Sequence, residues 1–456
     1  MTTRATTLLG SGPVPLRRHP GLASSLVRDN RLADSDREAH QWYRFVLSFP
    51  PHLVRHYLIE FGLDSESTLL DPFCGTGTTL VEAKKLGVPS VGIEAHPFTS
   101  FAASVKVDWS PDPDELLEHA QGIANKASRR LDTQGVPDSP LEGVATRSKG
   151  RPSHLQRLDS GLETLLLTSS ISRKPLHKAL VLLDALREDR DDRYDAHERL
   201  AFARSVVQTS SNLHFGPEVG LGEIRDDAPV IGPWPKGVVD ISHDLASLRD
   251  KRSVPTRVYT GDSRRCSDLL QSKSVDAVLT SPPYPNEKDY TRTTRLESVL
   301  LGFIRDKADL RTVKRSLVRS NTRGVFKADD DDSFVEDHSE INRVASAIEG
   351  RRLELGKTSG FERLYPRVAK LYFGGMLRHL ESLRSVLKPG ARLAYVVGDQ
   401  ASYLRVMIRT GQILGDLAQS AGYKLERIDL FRTRHATATG DQLREEVVVL
   451  RWPGEA

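Results

Sequence analysis

The chain has 456 residues, 28% of them charged and 38% hydrophobic, with a net charge of +4. That length allows two or three domain-sized units, and the charge lacks the cationic excess of a protein that coats nucleic acid, so any such surface is expected as a local patch. Its two cysteines, Cys74 and Cys266, have no CxxC or Cys/His neighbours, and no apolar run approaches a membrane span of about 18 residues. Disulfide scaffolding, a metal site and a membrane segment are therefore not expected, and a reducing cytosol is.

Residues 1–39 open on a stretch rich in Thr, Ser, Gly, Pro and Arg that reads as a flexible tail. From His40 the pattern changes. Pro50-Pro51 precede a helix in which Leu53, Val54, Tyr57, Leu58 and Phe61 recur at helical spacing. Leu69-Leu70 read as a buried strand ending at Asp71-Pro72-Phe73. The chain then breaks into a Gly-rich turn, and Thr78-Thr79 open a helix towards Leu86. Gly75 and Gly77 leave the backbone bare, so a ligand can lie against the turn and the amides at the helix start. The next strand, from Ser90, ends at Glu94, 23 residues after Asp71, where nucleotide-binding α/β folds place an acid for ribose hydroxyls. The fingerprint is GxG and not GxGxxG, which favours a ligand with a ribose and no phosphate.

A helix from Pro97 to Val107 follows. Residues 111–254 then interrupt the α/β alternation. They carry helical spacing over 113–131, 161–168, 176–188 and 196–208, and a basic link with Arg147, Lys149, Arg151 and Arg157. A Gly/Pro-rich stretch, 216–237, reads as loop. This insertion either reads a DNA target or buttresses the fold. The alternation resumes at 256–262, a strand ending in Asp262, and at Val275 to Leu279, whose end carries Ser281-Pro282-Pro283-Tyr284. Residues 300–368 form a second insertion, in which Arg311, Lys314, Arg315, Arg319 and Arg323 precede four aspartates, Asp329 to Asp332. Such opposed charge blocks suggest a mobile segment. Its basic part is either a contact for backbone phosphates, through Arg311, Arg315, Arg319 and Arg323, or a self-paired loop. Leu371 to Leu387 reads as an amphipathic helix stopped by Lys388-Pro389-Gly390. A strand at 391–397, a helix at 404–421 and strands near 424–431 and 446–451 complete the chain. Arg432, Arg434 and His435 fall in the loop between the last two strands, with a Thr/Ala/Gly run behind them.

Asp71 to Thr79 (DPFCGTGTT), the later Glu94, then Gly261-Asp262 and SPPY at Ser281 to Tyr284 resemble the S-adenosylmethionine-dependent amino-methyltransferases of DNA. SPPY in place of DPPY or NPPY is most similar to the enzymes that methylate N4 of cytosine. The resemblance covers roughly 41–110, 255–300 and 370–452, about half the chain. It implies an α/β, Rossmann-like methyltransferase fold, a mostly parallel seven-stranded sheet with helices on both faces, carrying a largely helical insertion. The core would comprise 40–110, 255–299 and 369–456, with 111–254 a candidate target-recognition region and 300–368 a candidate DNA contact.

By the same likeness, Phe49 and Pro51 contact the cofactor. Asp71, Pro72, Phe73, Gly75, Gly77, Thr78 and Thr79 form the turn that holds its methionine end. Glu94 takes the ribose and Asp262 the adenine amine. The Ser281 hydroxyl and Pro282 carbonyl would accept hydrogens of a base amine, Pro283 would help fix the turn, and Tyr284 would stack on a flipped base. The implied partners are double-stranded DNA and a cognate restriction or defence protein, in the cytoplasm at the nucleoid. The Gly-rich motif precedes SPPY here, the reverse of many cytosine-N4 enzymes, so the position of the target-reading region does not carry over. N6 of adenine is the neighbouring substrate, and an RNA base-amine methyltransferase or a non-catalytic DNA-binding partner are the other readings.

Overall fold

The computed structural model describes residues 32–44, 48–138, 154–216, 218–435 and 442–454. Most of the expected tail, Arg147, Lys149, Arg151 and the Thr/Ala/Gly run at 436–440 lie outside the described residues, as do the side chains of Arg434 and His435.

Pro51 opens α1 (Pro51–Phe61), which Gly62 closes in the left-handed conformation that only glycine adopts without strain. Strand β1 (Leu69–Asp71), α2 (Thr78–Lys85), β2 (Ser90–Glu94) and α3 (Pro97–Val107) follow as the hydrophobic periods predict. A helical block comes next, with α4 (Pro113–Thr133), α5 (Ser160–Glu163), α6 (Arg173–Glu188) and α7 (Asp195–Ser205), then a hairpin, β3 (Leu213–Phe215) and β4 (Val219–Leu221), and α8 (Pro233–Ser247). After it run β5 (Thr256–Thr260), α9 (Cys266–Leu269), β6 (Val275–Thr280), α10 (Tyr290–Thr293), α11 (Arg295–Leu300), α12 (Lys307–Ser316), α13 (Ser339–Glu354) and α14 (Gly360–Arg384). The chain closes with β7 (Leu387–Gly398), α15 (Thr410–Ser420), β8 (Lys424–His435) and β9 (Gln442–Arg451).

Seven strands form one sheet in the order β5-β2-β1-β6-β7-β9-β8. The first five are parallel, and β9 pairs antiparallel with both β7 and β8. Alternate residues of each strand feed different cores. Leu69, Ala277, Leu279, Ala394 and Val447 pack with α1, whereas Leu70, Val278, Leu393 and Val448 pack with α14 and α15. This is the Rossmann-like architecture that the sequence predicts. The chain leaves β1 towards β2 and returns through β6 on the other side, so the switch point, where open α/β sheets bind ligands, lies between β1 and β6.

The helical block is not an appendage. Leu116, Ile123, Leu182, Phe202 and Trp234 share a core with Leu80 of α2 and Phe98 and Ala103 of α3. Four sequence expectations change here. The helix expected at 161–168 is a single turn with no buried residue of its own, and Leu165 beyond it packs separately with Val299 and Ile304. The stretch expected as loop, 216–237, holds β4 and the start of α8, because prolines fit the first helical turn and Trp234 is fully buried. The stop signal Lys388-Pro389-Gly390 lies inside β7, four residues and more beyond the end of α14. Finally, Arg432 to His435 belong to β8 and not to a loop.

The charge blocks of the second insertion are not a mobile pair either. Arg319 bonds Asp329 at 2.7 Å, Arg264 and Arg378 both reach Asp331 at 2.5 and 2.6 Å, and Arg367 reaches Asp332 at 2.8 Å. The acidic turn seats directly on α14, where a Cβ on Gly374 would stand 1.7 Å from the Asp331 carbonyl oxygen. That contact requires glycine.

Candidate active site

A cavity of about 720 Å³ opens at the carboxyl ends of the parallel strands. Phe49, Pro72, Phe73, Gly75, Thr78 and Glu94 form one side of it, and Ser281, Pro282, Pro283 and Tyr284 another. The two motifs that lie some 200 residues apart in sequence thus meet in one site.

Asp71 is the hinge between them. Fully buried at the end of β1, it accepts the Phe73 amide at 3.1 Å and the Thr280 hydroxyl at 2.6 Å, so it ties the Gly-rich turn to the residue before Ser281. Burial pushes its carboxyl up to about 6, against the hydroxyls of Thr280 and Thr79 and the Phe73 amide. Glu94 at the end of β2 accepts the amides of Gly75 at 2.9 Å and His96 at 2.8 Å. Burial raises this carboxyl too, opposed by those two amides. With the Thr99 hydroxyl also acting on it, the carboxylate keeps acceptor capacity for a hydroxyl of a ligand. Gly75 adopts φ +52° with nothing within 4 Å of a would-be Cβ, so its face of the turn is open. Gly77 serves packing instead. At φ +84° a Cβ would meet Ala103 of α3 at 3.2 Å.

Ser281 donates its hydroxyl hydrogen to the Val396 carbonyl on β7 at 3.1 Å, which leaves its lone pairs available as acceptors. Tyr284 is positioned by the bare backbone of Gly398, where a Cβ would stand 3.2 Å from the ring. Tyr290, which also lines the cavity, is tied to the turn. Burial pushes its phenol up to about 12, while the Tyr284 backbone hydrogen-bonds to it.

Five residues expected at the site stand outside the cavity lining. Pro51 starts α1, and its neighbour Pro50 takes the wall position. Asp71, Gly77 and Thr79 act behind the turn, Thr79 reaching the Leu279 carbonyl at 3.5 Å. Asp262 is held by Arg264, at 2.6 Å to one oxygen and 3.0 Å to the other, and caps the turn after β5 through the Arg264 amide. Its flanking residues Gly261 and Ser263 line the cavity in its place.

The cavity also includes residues that the motifs do not reveal. His96, two residues after Glu94, sits against Thr294 at 3.2 Å, and burial pushes its imidazole down to about 4, so it is neutral near pH 7. Glu218 arrives from the β3–β4 hairpin, Gln400 from the loop after β7, and the Arg432–Glu445 pair from β8 and β9. His96 had a local signal in its place at a strand end. The others had none, because they come together only through tertiary packing.

Of the basic residues in the second insertion, Arg311 and Arg315 are exposed on α12, whose last residue, Ser316, lines the cavity with Leu317 and Val318. Arg323 is exposed beside Glu218, at 3.9 Å. Arg319 is a correction. It is 4% exposed, bound to both oxygens of Asp329 and to the Lys314 carbonyl at 2.7 Å, so it has no face for a phosphate.

The donor and acceptor set suits a nucleoside ligand without a phosphate, with an open glycine turn, a carboxylate with acceptor capacity and the aromatic walls of Phe49 and Phe73. Comparison with known proteins agrees. A family model described as DNA methylase, N6_N4_Mtase, matches residues 24–102. The chain is similar to the Type II methyltransferase M.BsoBI of Geobacillus stearothermophilus, 25% identical over 445 residues covering 92% of this chain and 85% of that protein. It is similar to M.AvaI of Nostoc sp., 24% identical over 436 residues (91% and 84%). M.MjaII of Methanocaldococcus jannaschii is 34% identical over 334 residues, 57% of this chain and 62% of its own length.

Proposed function

This chain belongs to the S-adenosylmethionine-dependent amino-methyltransferases of DNA, and we propose that within that family it methylates N4 of cytosine, on a base turned out of double-stranded DNA. The observation that carries the reading is Ser281. With its hydrogen committed to the Val396 carbonyl, its oxygen is an acceptor beside the cavity wall that Glu94 and Gly75 form.

S-adenosylmethionine, when bound, supplies an electrophilic methyl group on a sulfonium. The protein's part is orientation and electrostatics. Glu94 accepts the ribose hydroxyls, and the Gly75 to Thr78 turn lies along the methionine end. Tyr284 offers a flat face for the base, worth about 1–3 kcal/mol in stacking. The amine of a base is a poor nucleophile because its lone pair is delocalised into the ring. Two acceptors, the Ser281 hydroxyl and the Pro282 carbonyl, draw its hydrogens so that the nitrogen turns tetrahedral and its lone pair faces the methyl group. Proline at 282 and 283 holds the turn and adds no competing amide donor. The cationic product amine loses its proton readily, so no strong base is required. Ser281, where adenine enzymes usually carry Asp or Asn, is the reason to favour cytosine. Nucleoside mass spectrometry on DNA from a methylation-free host expressing the chain should find N4-methylcytosine. N6-methyladenine in its place, or no methylated base, would refute the assignment.

The relatives' shared name, Type II methyltransferase, supports a modification role beside a restriction endonuclease. Arg311 and Arg315, exposed on the helix that ends at the cavity, are proposed as contacts to DNA phosphates, with Arg323 at their side. Replacing Arg311 and Arg315 with Ala should lower the salt dependence of DNA binding by about two counterions, uniformly across sequences. An unchanged slope would remove α12 from the interface.

A further inference from the structure

Lys106 on α3 is 1% exposed, and among the described residues its ammonium forms no ion pair. Glu82, the carboxylate that acts on it, is already held by His40 at 2.7 Å and Arg55 at 2.6 Å. Burial, with Lys85 and Arg44 adding like charge, pushes the ammonium down to about 7. A buried cation without a counter-charge is destabilising unless something else offsets it. The geometry indicates what does. Lys106 lines a hole of about 20 Å³, roughly the room of one water, together with His40, Ser48, Phe49, Pro50 and Thr78. Ser48, Phe49, Pro50 and Thr78 also wall the large cavity, so one layer of residues separates the ammonium from the ligand space. Thr78 is the first residue of α2, whose unpaired amides favour an anion at the same place.

We propose that Lys106 is the counter-charge for the carboxylate at the methionine end of the cofactor, acting across the one-water hole beside Thr78. This rests on the cofactor reading of the large cavity. It assigns to the protein a cation behind the Gly-rich turn that neither motif contains. It also explains why a lysine occupies a core position of α3 between Val105 and Val107, which are both buried.

Calorimetric titration with S-adenosylmethionine and with decarboxylated S-adenosylmethionine, which keeps the sulfonium and amine, isolates the carboxylate. The parent should prefer the complete compound. Lys106→Met, close to isosteric and neutral, should weaken it by about tenfold or more and change the decarboxylated compound less than about twofold, since a charge-assisted contact is at stake. The retained affinity for the decarboxylated compound reports that the variant is folded. An equal loss for both compounds, or no loss for either, would overturn the assignment of Lys106 and leave the cofactor site standing. A parent that binds neither compound would overturn the cofactor reading itself, and the inference with it.

Discussion

Two sets of acids in this molecule meet opposite company. Asp71 and Glu94, on the ends of β1 and β2, are held by amides and hydroxyls with no cation in their hydrogen-bond sets, and burial pushes both carboxyls up. Asp329 to Asp332 sit among Arg319, Arg264, Arg378 and Arg367. Burial would raise Asp329 as well, but Arg319 and the Phe326 amide hold it below its usual range. The difference separates function from structure. The paired set fastens the segment after α12 to α14, whereas the unpaired set lies at the cavity, where, on the proposed function, a ligand's hydroxyls and the Ser281 turn need acceptors.

The largest effect should come from the paired set. Asp331→Ala leaves Arg264 with Asp262 as its one carboxylate and removes a partner of Arg378; two hydrogen bonds between charged groups, each worth about 1.5–3 kcal/mol, are lost, so it should lower stability by about 3–5 kcal/mol in denaturant titration. A loss below about 1 kcal/mol would mean that the acidic turn is no lock.

The unpaired set should respond in the other direction. Asp71→Asn keeps an acceptor for Phe73 and Thr280 and removes a charge that burial disfavours. Because the folded carboxyl titrates at about 6 and the unfolded one at 3.8, the folded state is relatively more stable below 3.8 and loses that advantage as pH rises through 6. Asp71→Asn should therefore exceed the parent by about 3 kcal/mol at pH 8, the gap closing as pH falls from 6 to 4. A variant less stable than the parent at pH 8 would show that the charge is satisfied where it stands.

The parts of this account visible in the sequence are those with a local cause. The strand ends at Asp71 and Glu94, the prolines opening α1 and α3 and the rigid SPPY turn are short-range signals, and each falls where the periods place it. What escaped depends on partners distant in sequence. The run Arg311 to Arg323 and the aspartates after it read as opposed, mobile blocks because the arginines that complete the lock, Arg264, Arg367 and Arg378, lie outside the run. Trp234 read as loop because prolines on both sides masked a helix start. Asp262 carried a local warning in Arg264, two residues on, which captures it. Lys106 offered none, since a lysine in a helix is ordinarily solvated and only the packing of Ser48 to Pro50 over it reveals its burial.

The central claim, that the Ser281 oxygen acts on a base amine inside the cofactor cavity, is tested most directly by single-turnover methyl transfer with Ser281→Ala. The substitution keeps Pro282, Pro283 and the Tyr284 face and removes one acceptor. At saturating cofactor and target duplex the rate should fall about a hundredfold, roughly 2.7 kcal/mol, with cofactor affinity unchanged. Methyl transfer at the parental rate would contradict the account.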